Sequence, residues 1–177
     1  MIDKKQNYVM RAEPAIAVIT PHGMAKTAVD FFKMAEEYKS DATISLARYY
    51  LFCASIELGL KAAILATDCT THKKKHIQKL GHDLLAVYND FAENYAAIWD
   101  SSDVVAVTAI NPFFKKKGLE YFTIDVLSAA LNGFKEVPKI DEVGLAARKV
   151  NGFLQANKQF IDGKTTEKPQ GGWLSFV

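Results

Sequence analysis

The chain has 177 residues, of which 49% are apolar and 24% are charged, and its formal net charge is +2. This length is enough for one domain with a substantial core, and the composition is that of a globular protein. The small net charge excludes a molecule that attracts nucleic acid over its whole surface, so such binding would need a local basic patch.

The first twenty residues predict an irregular or strand-like arm ahead of the first helix. Their apolar run, Ala15–Ile19, is too short for the core of a signal peptide. Charged residues interrupt every longer apolar stretch before it reaches the ~20 residues that span a bilayer. Two cysteines, Cys53 and Cys69, are too few for a disulfide framework. We therefore predict a cytoplasmic protein that does not associate with a membrane.

Apolar residues at helical spacing predict a first helix over 21–38. The next helix, roughly 42–66, is apolar almost all round, which is typical of the central member of a bundle. A polar loop over 67–81 is expected to follow, and then a helix from about His82 or Asp83 to Ile98.

A short helix over 104–110 is expected to end ahead of Pro112. Residues 113–138 mix strand-like and helix-like composition, and a last helix is expected from about 141 to 160. The prediction is an all-α protein: an antiparallel bundle of four to six helices over 21–161, with an N-terminal arm over 1–20 and a flexible tail over 162–177. The tail ends in Trp173–Val177, which is apolar enough to dock on this subunit or another.

The central helix carries Glu57 and Lys61 on one side, in the orientation that favours an ion pair between residues i and i+4. Its opposite side is a stripe of small residues, Ser55, Gly59, Ala62 and Ala66. The stripe suits either a neighbouring helix or a two-fold dimer contact. Arg48 or the Glu57/Lys61 pair could lie at a functional cleft, or all three could serve packing and the surface.

The stretch that follows is basic and rich in histidine, with His72, Lys73, Lys74, Lys75, His76, Lys79 and His82. Lysine ammonium groups bind a phosphate backbone without sequence preference, but a solvated loop with no ligand has the same composition. Cys69, His72, His76 and His82 have side chains that bind zinc, yet their spacing fits no established zinc pattern, so we predict no metal and no cofactor.

At the end of this stretch, Asp83 is suited to cap the next helix. His82 could cap it as well, donate a proton or contact a phosphate.

The segments Glu57–Leu65 and Gly81–Leu84 resemble the HEPN superfamily (higher eukaryote and prokaryote nucleotide-binding), in particular bacterial members with a helix ELxLKAxL followed by a GHDL turn. The resemblance covers about 24–161. It implies an antiparallel helical bundle, frequent homodimers, and association with RNA or nucleotides in defence, toxin–antitoxin or stress systems. It also implies that ribonuclease members carry R-x4–6-H on a late helix.

The ribonuclease motif can be tested at each of the three arginines, Arg11, Arg48 and Arg148. No histidine lies five to seven residues after any of them. That ribonuclease activity is therefore not carried over to this chain.

Three hypotheses follow. The first is a non-catalytic dimer that binds RNA, a nucleotide or a partner protein, with contacts from Arg48, Lys73, Lys74, Lys75, Lys79, His82 and Asp83. The second is a divergent ribonuclease or nucleotide hydrolase that uses Glu57, Lys61 and His82, which predicts that Glu57 and His82 lie within ~4 Å of each other. The third is a purely structural interaction module.

Overall fold

The structure is a computed structural model that describes residues 20–38, 45–120 and 137–163. The described part is all-helical and contains no strand. Its helices are α1 (Pro21–Glu37), α2 (Leu46–Thr67), α3 (Thr71–Leu80), α4 (Leu84–Ala92), α5 (Ser101–Lys115), α6 (Ile140–Ala156) and α7 (Lys158–Gly163). The predicted arm, the segment 121–136 and the tail, including Trp173–Val177, lie outside the described residues apart from Thr20, Asp162 and Gly163.

Helix α2 is the centre of the fold, as its composition predicts. It contacts α1, α3, α4, α6 and α7, and most of its residues are buried over its whole length. By length and composition α2 could also cross a membrane, with a mean hydropathy of 1.4 over its most apolar window. The prediction that no segment is long and apolar enough to span a bilayer was therefore wrong. However, 78% of that window is buried against the other helices, as in a core helix.

The stripe of small residues on α2 faces α1 and α6 of the same chain. A Cβ atom on Gly59 would lie 2.5 Å from Val150 Cγ1 and 3.7 Å from Ala28 Cβ. Ala62 and Ala66 are fully buried in a cluster with Ala28 and Leu154. Of the two uses that the sequence allows, the described residues show the first: the small side chains let neighbouring helices approach closely.

Residues 71–80 form helix α3, so the predicted polar loop over 67–81 was wrong for most of its length. Thr70 caps the helix by accepting a hydrogen bond from the Lys73 amide, and Gly81 ends it with a φ of +56°, a conformation that glycine adopts at little cost. Lysine and glutamine favour helix. Only Ile77 is buried, so the segment lacks the repeated apolar residues whose spacing would indicate a helix.

Two boundaries also differ from the prediction. Helix α4 ends at Ala92 rather than Ile98, because the chain turns back and places Trp99 against Tyr88, with 4.0 Å between the ring centroids. Helix α5 starts at Ser101 and continues through Pro112 to Lys115. The proline does not stop it, because Phe114, two residues later, is buried in the core.

The last predicted helix is divided at Asn157 into α6 and α7. Its predicted inward residues, Val143, Ala147, Val150, Leu154 and Ile161, are all buried. With this division and with α3, the described ranges hold seven helices, more than the four to six predicted. The two additional helices, α3 and α7, are short. The polar sequence of α3 shows no apolar periodicity, and the division at Asn157 was not apparent from the sequence.

Candidate functional site

A buried ion pair on α2 forms the base of the candidate site. Lys61 Nζ donates to Glu57 Oε1 at 2.6 Å, and both side chains are only 8% exposed. Lys61 Nζ also donates to the backbone carbonyl of Gly81, again at 2.6 Å. Because desolvation offsets the Coulomb attraction of a buried pair, its clearest effect is geometric: it fixes the turn that ends α3 against α2.

His82 completes this arrangement. Its Nδ1 lies 2.9 Å from Glu57 Oε2. This is within the ~4 Å expected if the two residues belong to one site. The imidazole is 41% exposed whereas Glu57 is almost fully buried. On its other side the ring meets the edge of Phe114, with 5.7 Å between centroids. A carboxylate below and an aromatic ring beside it thus hold the imidazole at the surface.

Asp83 caps α4, as predicted, and belongs to a second polar network. Its carboxylate accepts hydrogen bonds from the Ala86 amide, from Asn111 Nδ2 and from Lys115 Nζ, the last at 2.6 Å. Partial burial raises the pKa of Asp83, but the hydrogen bonds from Lys115, Ala86 and Asn111 outweigh it and hold that pKa below its usual range. Asp83 therefore stays ionised and joins α4 to α5.

Asn111 strengthens the same junction. It is buried, and its Oδ1 accepts a hydrogen bond from the Leu84 amide at 2.8 Å. From the sequence alone, Asn111 stands out only as the residue before a proline. The available signal was a polar residue beside Ile110 on the apolar side of α5, which needs a partner when it is buried.

The basic residues of α3 divide into two groups. Lys73 and His76 face α4, where Asp90 lies 3.9 Å from Lys73 Nζ and 3.2 Å from His76 Nε2. Lys75 and Lys79 are exposed on the outer face. Within the part of the chain that the structure describes, neither has a carboxylate partner.

Two further polar side chains of α3 are relevant to ligand binding, and only the first lies on the outer face. His72 is exposed and lies three residues from Lys75 and seven from Lys79, so the three share one side of the helix. Lys74 is half-buried between the two faces and interacts with another residue.

Arg48 lies apart from these groups. Its Nε donates to the Ala35 carbonyl at 2.9 Å, and its guanidinium lies 5.5 Å from the centre of the Phe52 ring. Nine residues of helix separate it from Glu57, or ~13 Å along the axis. The structure therefore places Arg48 at the junction of α1 and α2 and does not bring it to His82.

The possible zinc ligands are likewise dispersed. His76 is paired with Asp90 and His82 with Glu57. No three His, Cys, Asp or Glu side chains are placed to hold a metal ion anywhere in 20–38, 45–120 or 137–163.

Comparison of the chain with protein-family models, with curated proteins and with solved structures finds no match. The function must therefore be argued from the site itself. Its geometry offers two chemical abilities: an exposed basic helix face that can contact anions, and an imidazole oriented by a buried carboxylate, which can take up a proton or form a bond at Nε2.

Proposed function

We propose that this protein is an HEPN-like helical module that binds RNA through the outer face of α3 and does not cleave it. The observation that carries the proposal is the exposed pair Lys75 and Lys79, which no carboxylate neutralises among the described residues. The HEPN-like bundle and the homodimer belong to the same proposal, and they rest on the resemblance of Glu57–Leu65 and Gly81–Leu84.

The charge distribution supports a local contact rather than a general attraction. The whole chain carries a net charge of only +2, whereas α3 contains four lysines and no acidic residue. Asp90 neutralises the inner side of the helix, so the positive potential is directed outward. Lysines of this kind contact phosphates and release counterions, which makes the binding sensitive to salt.

The same face predicts little base specificity. Base recognition in single strands uses aromatic platforms, and α3 contains none: its sequence is THKKKHIQKL. We therefore expect binding to follow the phosphate backbone and to vary little between RNA sequences of equal length.

Fluorescence anisotropy of a labelled single-stranded RNA, measured across a salt series, tests the proposal. The Lys75→Ala/Lys79→Ala variant should bind more weakly, and the slope of log K against log salt should fall by about 0.7 for each lost phosphate contact. The matched control is Lys26→Ala/Lys33→Ala, which removes the same charge from exposed positions on α1. Equal binding by the parent and the α3 variant would refute RNA binding through α3.

A specific observation favours a second candidate, a divergent metal-independent ribonuclease or nucleotide hydrolase. His82 Nδ1 lies 2.9 Å from Glu57 Oε2, so Glu57 could orient the imidazole as a general base. Cleavage of labelled RNA in the presence of a chelator would support this function if His82→Asn abolished it and His72→Asn did not. No cleavage of the RNA by the parent protein would exclude the ribonuclease, and no hydrolysis of free nucleotides would exclude the hydrolase.

A further inference from the structure

We infer that His82 is a phosphoryl-acceptor site: its Nε2 takes a phosphoryl group from a reactive donor of the phosphoramidate or acyl-phosphate class and holds it covalently. This goes beyond RNA binding, and it differs from hydrolysis because the product stays on the protein. The inference does not depend on the proposed function, since it uses neither Lys75 nor Lys79.

The contact with Glu57 decides which nitrogen of His82 can react. An ionised carboxylate only accepts hydrogen bonds, so Nδ1 at 2.9 Å must carry the hydrogen. The lone pair is then on Nε2, the nitrogen away from Glu57. Nε2 makes no hydrogen bond with any residue that the structure describes, and the side chain is 41% exposed. The reactive nitrogen is therefore unprotonated, and it belongs to a side chain that is partly open to solvent.

All four histidines of the chain are described, and their surroundings differ. His76 uses Nε2 itself to contact Asp90, so that nitrogen is occupied. His72 has no polar partner among the described residues. His22 has an Nδ1 contact with Asp162, but that carboxylate is 33% exposed and also binds Lys158. Only His82 combines an open Nε2 with a buried carboxylate on Nδ1.

The burial of Glu57 matters because of how charge develops during transfer. The Nε2 lone pair forms a bond to phosphorus while the bond from phosphorus to the leaving nitrogen of phosphoramidate breaks, and ammonia departs with a proton from solvent. The ring keeps its Nδ1 hydrogen and becomes positively charged. A carboxylate that is only 8% exposed stabilises this charge more strongly than one in water. Glu57 acts here as a positioning residue.

The surroundings are also suited to phosphoryl oxygens. Lys115 is 57% exposed and follows Phe114, whose ring contacts His82. The neighbouring carboxylate, Asp83, is already paired with Lys115, so it opposes an incoming anion less than an unpaired acidic residue would.

The first test uses the unaltered full chain. The protein is incubated with phosphoramidate, and the position of the added phosphoryl group is followed in time by mass spectrometry of peptides prepared under alkaline conditions, which preserve phosphohistidine. We expect His82 to be labelled before His22, His72 and His76. Labelling that follows exposure alone, with His72 reacting first or all four reacting alike, would overturn the inference.

Substitutions then test the role of Glu57. Glu57→Gln keeps a hydrogen-bond acceptor for Nδ1 but removes the charge. By analogy with the carboxylate partners of metal-binding histidines, it should slow labelling of His82 roughly 10–100-fold. Because this variant leaves Lys61 buried without its carboxylate, Glu57→Gln/Lys61→Met serves as a second variant with both charges removed. It should remain folded and show the same slow labelling.

The labelling rates of His82 in the parent and the variants are compared under conditions in which each protein is folded. His82→Asn should abolish the rapid phase, and His22→Asn should leave it unchanged. Glu57→Asp, which restores a carboxylate, should recover part of the rate. If Glu57→Gln/Lys61→Met were folded and labelled at the parental rate, Glu57 would have no positioning role and the inference would fail.

Discussion

Replacing glycine by alanine should have opposite effects on stability at two helical positions, Gly59 and Gly152. Glycine in a helix is less stable than alanine by ~0.8–1.0 kcal/mol, so propensity alone predicts that Gly59→Ala in α2 and Gly152→Ala in α6 both stabilise the protein. The structure predicts a gain only at Gly152, where a Cβ atom would meet nothing within 4 Å.

At Gly59 the added methyl group would collide with α6. Its carbon would lie 2.5 Å from Val150 Cγ1 and 3.2 Å from Leu154 Cδ1, whereas carbon atoms in contact prefer ~3.5–4.0 Å. Val150 would have to move by ~1 Å inside a fully packed core. Overpacking of this kind costs ~1–3 kcal/mol. Since the clash at Val150 is severe, we expect the cost to exceed the propensity gain and to leave a net loss of ~1–2 kcal/mol.

Urea unfolding measured by circular dichroism gives both free energies. We expect Gly59→Ala to lower the midpoint and Gly152→Ala to raise it, with the same dependence on denaturant as the parent. The two variants should differ by ~2–3 kcal/mol, which follows from the overpacking and propensity magnitudes. Adding Val150→Ala to Gly59→Ala should recover part of the loss, as a favourable coupling of ~0.5–3 kcal/mol between residues in contact. If Gly59→Ala were as stable as Gly152→Ala, the close approach of α2 and α6 would be wrong.

Three further predictions concern α2 and the turn that it holds. Lys61→Met should destabilise the protein by ~3–5 kcal/mol because it leaves the carboxylate of Glu57 buried and unpaired, and the double variant Glu57→Leu/Lys61→Met should be more stable than Lys61→Met in urea unfolding. The pKa of the Cys53 thiol is raised by burial and then by the charge of Glu57, so a thiol reagent at pH 8 should modify Cys69 rapidly and Cys53 only at the rate of unfolding; equal rates would contradict this burial. The pKa of Asp83 is held below its usual range in the folded protein, so its stabilising effect is complete above the unfolded pKa of ~3.9 and is lost as the pH falls through and below it. Stability measured from pH 6 to pH 2 should therefore fall less steeply for Asp83→Asn than for the parent.

The periodic helices were predictable because their burial follows from local sequence. Apolar residues at a spacing of 3.6 place Ala28, Phe32 and Ala35 on one side of α1, and all three are buried. The same reasoning identified the inward side of α6. It also identified α2 as the central helix, since a helix that is apolar almost all round must be enclosed by others.

Local sequence failed where tertiary contacts decide. The helix α3 buries only Ile77, so periodicity could not reveal it, although Thr70 and Gly81 cap it in the usual way. Helix α5 passes through Pro112 because Phe114 is anchored in the core. In both places the helix depends on caps or on a single buried ring, which the overall composition of the segment does not indicate.

The candidate site shows the same limit. The sequence placed Glu57 and Lys61 on one side of a helix and Asp83 at a helix start, and both placements are confirmed. It could not show that Lys115, part of a run of lysines, forms an ion pair with Asp83. It also could not show that Asn111 joins α4 and α5.

The sequence by itself therefore determined that the protein is helical, that α2 is enclosed, and which residues carry charge along Ser55–Leu84. Only the tertiary structure decided that Glu57 meets His82, 25 residues further along the chain, and that the other three histidines have different surroundings. The physical reason is that a helical pattern depends on neighbours three and four residues away, whereas the protonation and accessibility of an imidazole depend on groups that packing brings together from distant parts of the chain.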